Sequence, residues 1–310
     1  MLQAQQLAQR LRAALAQVLR GKPAAVQHAL VALLSGGHLL IDDVPGVGKT
    51  LLAKSIARSL GGSFHRVQST PDLLPTELTG VSVFDISRSE WTFRPGPLFA
   101  NVVLVDELNR ATPRTQAALL EAMEERQVTT DGSTRPLPQP FFLVATQNPH
   151  ETAGTFPLVE GQLDRFALVT EIGVPDARTE RELLLGTGGE PALAHLEVVA
   201  ETHELAAAIR AVGSVHVADA LADYVVAVAS ATRNQPDIAI GASPRASISW
   251  LRGAQALAVL DGRDYVVPDD LQQLAVPCLA HRLVLHDVTR LDDARAIVTA
   301  LLDSVPVPRP

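Results

Sequence analysis

Before about residue 175 the apolar residues alternate between short runs and helical spacing; after it, only helical spacing persists. In "MLQAQQLAQRLRAALAQVLRGK" Leu2, Leu7, Leu11, Leu15 and Leu19 recur like one helix face. Apolar strand-like runs at residues 39–41, 102–105, 141–145 and 167–172 predict strands, and a further short one is expected through 64–67. Between them, Leu52, Ile56 and Leu60 mark a helix that Gly61-Gly62 stops. A second helix begins at the cap Thr112 with Pro113 in its first turn. Leu119, Leu120 and Met123 form its apolar face, and Glu121, Glu124 and Glu125 fall on its solvated side. Strands alternating with helices predict a parallel sheet covered by helices. Beyond "GVPDARTE" the pattern is helical, Ala-rich over residues 205–231, with stops at Gly213, Pro236 and Pro268. The change of character places a boundary near residues 175–190, dividing the chain into an α/β core, 1–180, and a helical unit, 181–310.

Two stretches break the α/β rhythm by strict alternation. "VSVFDISRSEWTFRPGP" turns around Ser87-Arg88-Ser89, and "RQVTTDGSTRPLP" turns at Asp131-Gly132, a strong hairpin signal. Both are expected to project as hairpins. No internal repeat occurs at solenoid or propeller periods, and "VPVPRP" reads as a frayed Pro-rich tail.

Composition narrows the class. At 310 residues with 47% hydrophobic and 19% charged side chains, the chain is globular and large enough for two domains. Aromatics are only 4%, so aliphatic side chains must fill the core. A formal charge of -8 argues against nucleic acid as a general partner, since phosphate-backbone affinity needs clustered Lys and Arg. Cys278 is the only cysteine; it reads as a packed thiol, and no intrachain disulfide can form. The N-terminal helix carries too many Gln and Arg for a signal peptide, and no apolar run reaches bilayer length, so the expectation is a cytoplasmic protein without membrane insertion. The nine histidines, His281 and His286 among them, show no ligand spacing with cysteine or acids, which disfavours a metal enzyme.

The chemistry concentrates at predicted strand ends. The strand at 39–41 runs into Asp43-Val44-Pro45-Gly46-Val47-Gly48-Lys49-Thr50-Leu51 and then into a helix, the context a phosphate-binding loop requires. Gly46 and Gly48 let backbone N–H groups turn inward at a helix N-terminus, Lys49 can reach the outer phosphates, and the Thr50 hydroxyl can ligate Mg²⁺. Asp43 stands where such loops usually open with glycine; its tolerance of left-handed backbone predicts little loss. Asp106 and Glu107 end the run at 102–105, suited to hold Mg²⁺ through water and to polarise an attacking water. "FFLVATQNP" ends in Gln147 and Asn148, the latter placed to orient water near a γ-phosphate. Phosphoryl transfer also needs cations where charge develops. Arg165 in "QLDRF" and Arg245 in "GASPRAS" are candidates; Arg245, in a first helical turn behind Ser243 and Pro244, opposes the helix dipole unless it binds an anion.

Taken together, "GGHLLIDDVPGVGKT", "VQSTPDLLPTELTG", "GPLFANVVLVDELNRATPRTQAALLEAMEE", "PFFLVATQNP", "TFPLVEGQLDRF" and "GASPRAS" closely resemble the MoxR family of AAA+ ATPases, from about Val18 to Leu285. The resemblance implies a P-loop AAA+ core followed by an all-helical lid, with ATP and Mg²⁺ as cofactors. It makes Lys49 and Thr50 Walker A residues, Asp106 and Glu107 Walker B, and Asn148 sensor 1. Arg165 would be the arginine finger reaching a neighbour's ATP, and Arg245 the sensor 2 residue reaching its own. It further implies a ring, a hexamer, and a chaperone-like role in assembling or activating protein complexes, with von Willebrand factor A domain partners. Two other classes stay open: a nucleotide-gated scaffold with little hydrolysis, against which the Asp106-Glu107 pair argues, and a nucleic-acid motor or loader, which the acidic charge disfavours.

Overall fold

The computed structural model describes residues 1–149, 154–286 and 291–308, so the last two residues of the Pro-rich tail lie outside the described residues. Its strands are β1 (Leu39–Asp42), β2 (Phe64–Gln68), β3 (Gly80–Asp85), β4 (Glu90–Pro95), β5 (Val102–Asp106), β6 (Gln127–Thr130), β7 (Ser133–Pro136), β8 (Phe142–Gln147) and β9 (Leu168–Thr170). Five of them form one parallel sheet in the order β2-β5-β8-β1-β9. Alternate residues of each strand enter opposite layers, as the pleat requires. Leu39, Ile41, Val102 and Leu104 pack with Leu52 and Ile56 of the helix Lys49–Ser59. Leu40, Val103 and Val105 pack on the other face with Leu119, Leu120 and Met123 of the helix Pro113–Glu125. Because all five strands run the same way, β1, β5 and β8 deliver Asp43, Asp106 and Gln147 to one sheet edge, where open α/β sheets bind ligands.

The C-terminal part of the chain is helical, with helices Thr202–Val212, Asp219–Asn234, Pro244–Leu260, Pro268–Leu279 and Leu291–Ser304. Trp250 anchors it, fully buried, with Nε1 donating to Leu271 O at 2.8 Å. The lid adds one feature the helical pattern did not predict, a short antiparallel pair of Ile238–Ile240 with Val284–Leu285. The apolar face of Leu2–Val18 buries Leu7, Leu11 and Leu15 in the layer that also holds Trp250 and Leu257, so the first helix joins core to lid. Leu2, which the periodicity put on that face, is instead exposed at the helix start. Cys278 is buried in the same layer, and burial pushes its thiol up to about 12.

Both expected hairpins form: β3 pairs with β4, and β6 with β7. Asp131 and Gly132 both take positive φ, 53° and 71°, the mirror-image turn that matches strand twist. In the first hairpin Asp85 Oδ1 accepts from the Ser87 N–H at 2.9 Å and Ser87 Oγ at 2.6 Å, which pins the loop.

Candidate functional site

The loop after β1 is shaped by its glycines. Gly46 and Gly48 take φ of 85° and 105°, values that side-chain-bearing residues rarely adopt, and Gly48 caps the helix Lys49–Ser59. A Cβ at Gly46 would meet nothing within 4 Å, so the loop curls around open space into which helix-start amides can point. Lys49 Nζ bridges this loop to β8, donating to Asp43 O and to Gln147 O at 3.2 Å. Burial lowers its pKa from the ordinary lysine value. A cavity of about 410 Å³ opens here, lined by Gly46, Gly48, Lys49, Thr50, Asp106, Glu107 and Asn148, with Thr146 at its floor. Pro45 and Leu51 also line it. An open groove of about 950 Å³ between the first helix and Thr202–Val212 is larger but brings no glycine loop or paired carboxylates together, so the chemistry belongs to the smaller cavity.

Asp43 needs a different explanation from backbone tolerance. It is absent from the positive-φ residues and is buried. Its Oδ1 accepts from the Val44 N–H at 2.7 Å, and its Oδ2 accepts from the Ile172 and Gly173 N–H groups, each at 2.7 Å. The carboxylate thus ties the start of the phosphate loop to the chain leaving β9 toward the lid. Restoring the customary glycine, Asp43→Gly, should destabilise the fold by roughly 2–4 kcal/mol, since two enclosed N–H groups lose their acceptor. Denaturant unfolding checks this, and unchanged stability would refute the tie.

The two strand-end acids are held by groups the sequence pattern did not single out. Thr146, at 1% exposure on β8, donates Oγ1 to Asp106 Oδ1 at 3.3 Å and accepts from the Glu107 N–H at 2.9 Å. Glu107 takes φ 55°, a left-handed turn straight off β5. Its Oε2 accepts from Gln68 Nε2 at 3.0 Å and Arg110 Nη1 at 3.1 Å, while Arg66 Nε donates to Asp106 Oδ2 at 2.6 Å. Arg66 and Gln68 share a face of β2 because strand side chains alternate, and the register sets Gln68 beside Asp106. In "FHRVQS" the only available signal is that Arg66 and Gln68 stand two residues apart.

Thr50 and Asp106 are oxygen donors suited to a hard cation such as Mg²⁺, and β5 aims the largely buried Asp106 at the cavity. Among the described residues no cluster of three or more His, Cys, Asp or Glu could hold a metal by itself. That fits Mg²⁺ bound with nucleotide phosphates, which takes one or two protein ligands rather than a full cage.

Arg165 and Arg245 stand elsewhere. Arg165 precedes β9, whose parallel pairing with β1 puts it at the amino edge of the sheet, opposite the phosphate loop. Arg165 Nε donates to Glu124 Oε2 and Arg245 Nη1 to Glu124 Oε1, both at 2.8 Å. Glu124 lies near the end of Pro113–Glu125, a helix about 19 Å long at 1.5 Å per residue that starts beside Glu107. Arg245 therefore does not reach its own nucleotide cavity, as the resemblance implied; it sits with Arg165. Glu124 is likewise not merely solvated: the Arg165 and Arg245 hydrogen bonds hold its carboxyl below the usual glutamate value. Arg126 and Arg282 line the same small cavity as the arginine pair, which gives this face a positive excess over Glu124 and Asp164. Glu124 is also the anion that answers Arg245's position in the first turn of Pro244–Leu260.

A parallel sheet in this order, a glycine loop feeding a helix and a strand-end acid pair define a P-loop ATPase core with a lid. The comparisons agree. Residues 38–168 match the model of the ATPase family associated with various cellular activities (AAA), and residues 230–301 match the AAA lid domain. The chain is 45% identical over 294 residues to the protein YeaC of Bacillus subtilis, covering 94% of this chain and 92% of that one. It is 40% identical to Chaperone MoxR1 of Mycobacterium tuberculosis, covering 94% of this chain and 80% of that one. A candidate ATPase from Cytophaga hutchinsonii superposes with a TM-score of 0.87 at 31% identity, covering 99% of this chain and 96% of that one. The chain belongs to the MoxR family of AAA+ ATPases.

Proposed function

We propose that the protein is a Mg²⁺-dependent ATP hydrolase that works as a ring and uses hydrolysis to remodel a protein client. One observation carries the reading: the phosphate cavity and the arginine pair occupy opposite edges of one sheet. A lone subunit cannot bring them together, whereas a subunit stacked beside another can present Arg165 and Arg245 to its neighbour's cavity. Backbone N–H groups from Gly46 to Leu51 and the Lys49 ammonium would bind the phosphates. Thr50 and Asp106 would hold Mg²⁺, which supplies charge neutralisation on the phosphate oxygens. Glu107 would take up proton density from the attacking water, and Asn148 would orient that water. Arg165 and Arg245 would stabilise charge as it develops on the neighbour's γ-phosphate.

In this reading residues 1–180 act as the nucleotide core and 181–310 as the lid, and motion between them performs the work. Asp43 supports such coupling, because its carboxylate links the phosphate loop to Ile172 and Gly173 at the junction. A hexameric ring, a chaperone role and a partner with a von Willebrand factor A domain follow from the family resemblance; a cytoplasmic setting is proposed beside them. The similarity to Chaperone MoxR1 supports the chaperone role. Nucleic acid is not the proposed partner, in keeping with the net charge of -8. Among the described residues no helix is long and apolar enough to cross a membrane. Lys49→Ala should weaken Mg²⁺-ATP binding by roughly 10- to 100-fold in calorimetry, the effect of deleting a charge-assisted bond. Wild-type protein that neither binds Mg²⁺-ATP nor changes on that substitution would end the proposal.

A further inference from the structure

The acid at the end of β5 has both carboxylate oxygens engaged, by partners set with unequal firmness. Thr146, which donates to Asp106 Oδ1 at 3.3 Å, is 1% exposed and fixed in a central strand. Arg66, which donates to Oδ2 at 2.6 Å, comes from the edge strand β2 and leaves 51% of its side chain open, against 9% for Asp106. Swinging Arg66 away would therefore change its hydration little. The carboxylate left behind would stay enclosed and would need another positive partner. Lys49 is a poor substitute, since its ammonium is engaged by the backbone oxygens of Asp43 and Gln147. Arg66 also lines the phosphate cavity itself, so whatever displaces it arrives with the nucleotide.

We propose that Arg66 is an exchangeable counter-ion: it occupies the cation position on Asp106 Oδ2 and yields it to Mg²⁺ entering with ATP. It thereby sets how strongly the protein prefers metal-bound over metal-free nucleotide. The inference rests on the reading of the cavity as an Mg²⁺-ATP site. Two opposite consequences follow from one pair of atoms. Without Arg66, nothing competes with Mg²⁺ for Oδ2, so the metal binds the nucleotide-loaded protein more tightly. Without Arg66, a metal-free triphosphate meets an unneutralised carboxylate, so metal-free nucleotide binds less tightly. A residue that merely braced the cavity would shift both affinities the same way.

The test is calorimetric binding of the non-hydrolysable analogue AMP-PNP to the full chain, in EDTA and in Mg²⁺, with Mg²⁺ titrated separately onto the analogue-loaded protein. In Arg66→Ala the metal-free Kd should rise about tenfold and the Mg²⁺ concentration for half-saturation should fall about tenfold, the scale of one charge-assisted hydrogen bond. Arg66→Lys, which keeps the charge, should recover most of the wild-type ratio between the two buffers. An unchanged ratio in Arg66→Ala would overturn the exchange, and so would equal loss of both affinities with no recovery in Arg66→Lys. Absence of binding by the wild type in both buffers would overturn the ATP-site reading and the exchange together, an outcome distinct from the other two.

Discussion

Replacing Arg165 by alanine should reduce steady-state ATP hydrolysis by about 10³- to 10⁵-fold, the range an arginine at a transferring phosphoryl group contributes. Nucleotide affinity should stay near that of the wild type. The separation follows from geometry: Arg165 lies before β9 at the amino edge of the sheet, while Lys49, Thr50 and Asp106 surround the cavity at the carboxyl edge. Mixing subunits makes the test sharper. An Arg165→Ala subunit keeps a complete cavity, and a Glu107→Gln subunit keeps its arginines. A mixed ring should therefore regain phosphate release that neither variant shows alone. The same mixture made with Arg245→Ala should also regain activity, because Arg245 shares Glu124 with Arg165. Activity lost from the Arg165 variant and not recovered on mixing would place the arginine's role within its own subunit and refute the ring arrangement.

The features legible in the sequence were those that local pattern and a single strand-to-loop step determine. The run at 39–41, the glycines at Gly46 and Gly48 and the helix beyond them needed no knowledge of distant residues. The Asp131-Gly132 turn was readable for the same reason. Features that depended on strand order or on a remote partner were not legible. Asp43 takes its hydrogen bonds from Ile172 and Gly173, far along the chain, so its identity could be noticed but not explained. Arg66 and Gln68 matter because β2 lies next to β5, a neighbour that periodicity cannot name. Thr146 looked like an ordinary polar residue until β8 was set between β5 and β1. For Arg245 the family resemblance implies a role but no position, and the Glu124 pair gives the position. A cation in the first turn of a helix calls for an anion, and at Arg245 that anion is Glu124, a side chain of the same chain.

Glu107→Gln isolates chemistry from binding more cleanly than any other substitution in the cavity. Turnover should fall by about 10²- to 10⁴-fold, the usual contribution of a positioned general base, while Mg²⁺-ATP still binds. The amide is nearly the same shape and keeps an oxygen where Glu107 Oε2 accepts from Gln68 Nε2 at 3.0 Å and Arg110 Nη1 at 3.1 Å, so the site need not rearrange. The ion pair with Arg110 is lost, but both side chains are about a third exposed, 38% and 31%, and such pairs are worth only about 0–1 kcal/mol. Stability should accordingly change by less than the activity does, on a free-energy scale, by several kcal/mol. The left-handed backbone of Glu107, φ 55°, is held by its N–H bond to Thr146 Oγ1 and is indifferent to the side-chain charge. Single-turnover measurement of phosphate formation from pre-bound ATP reads the chemical step directly. A rate equal to the wild type's would remove Glu107 from the role of base, and loss of ATP binding in place of turnover would mean that its carboxylate organises the nucleotide and not the water.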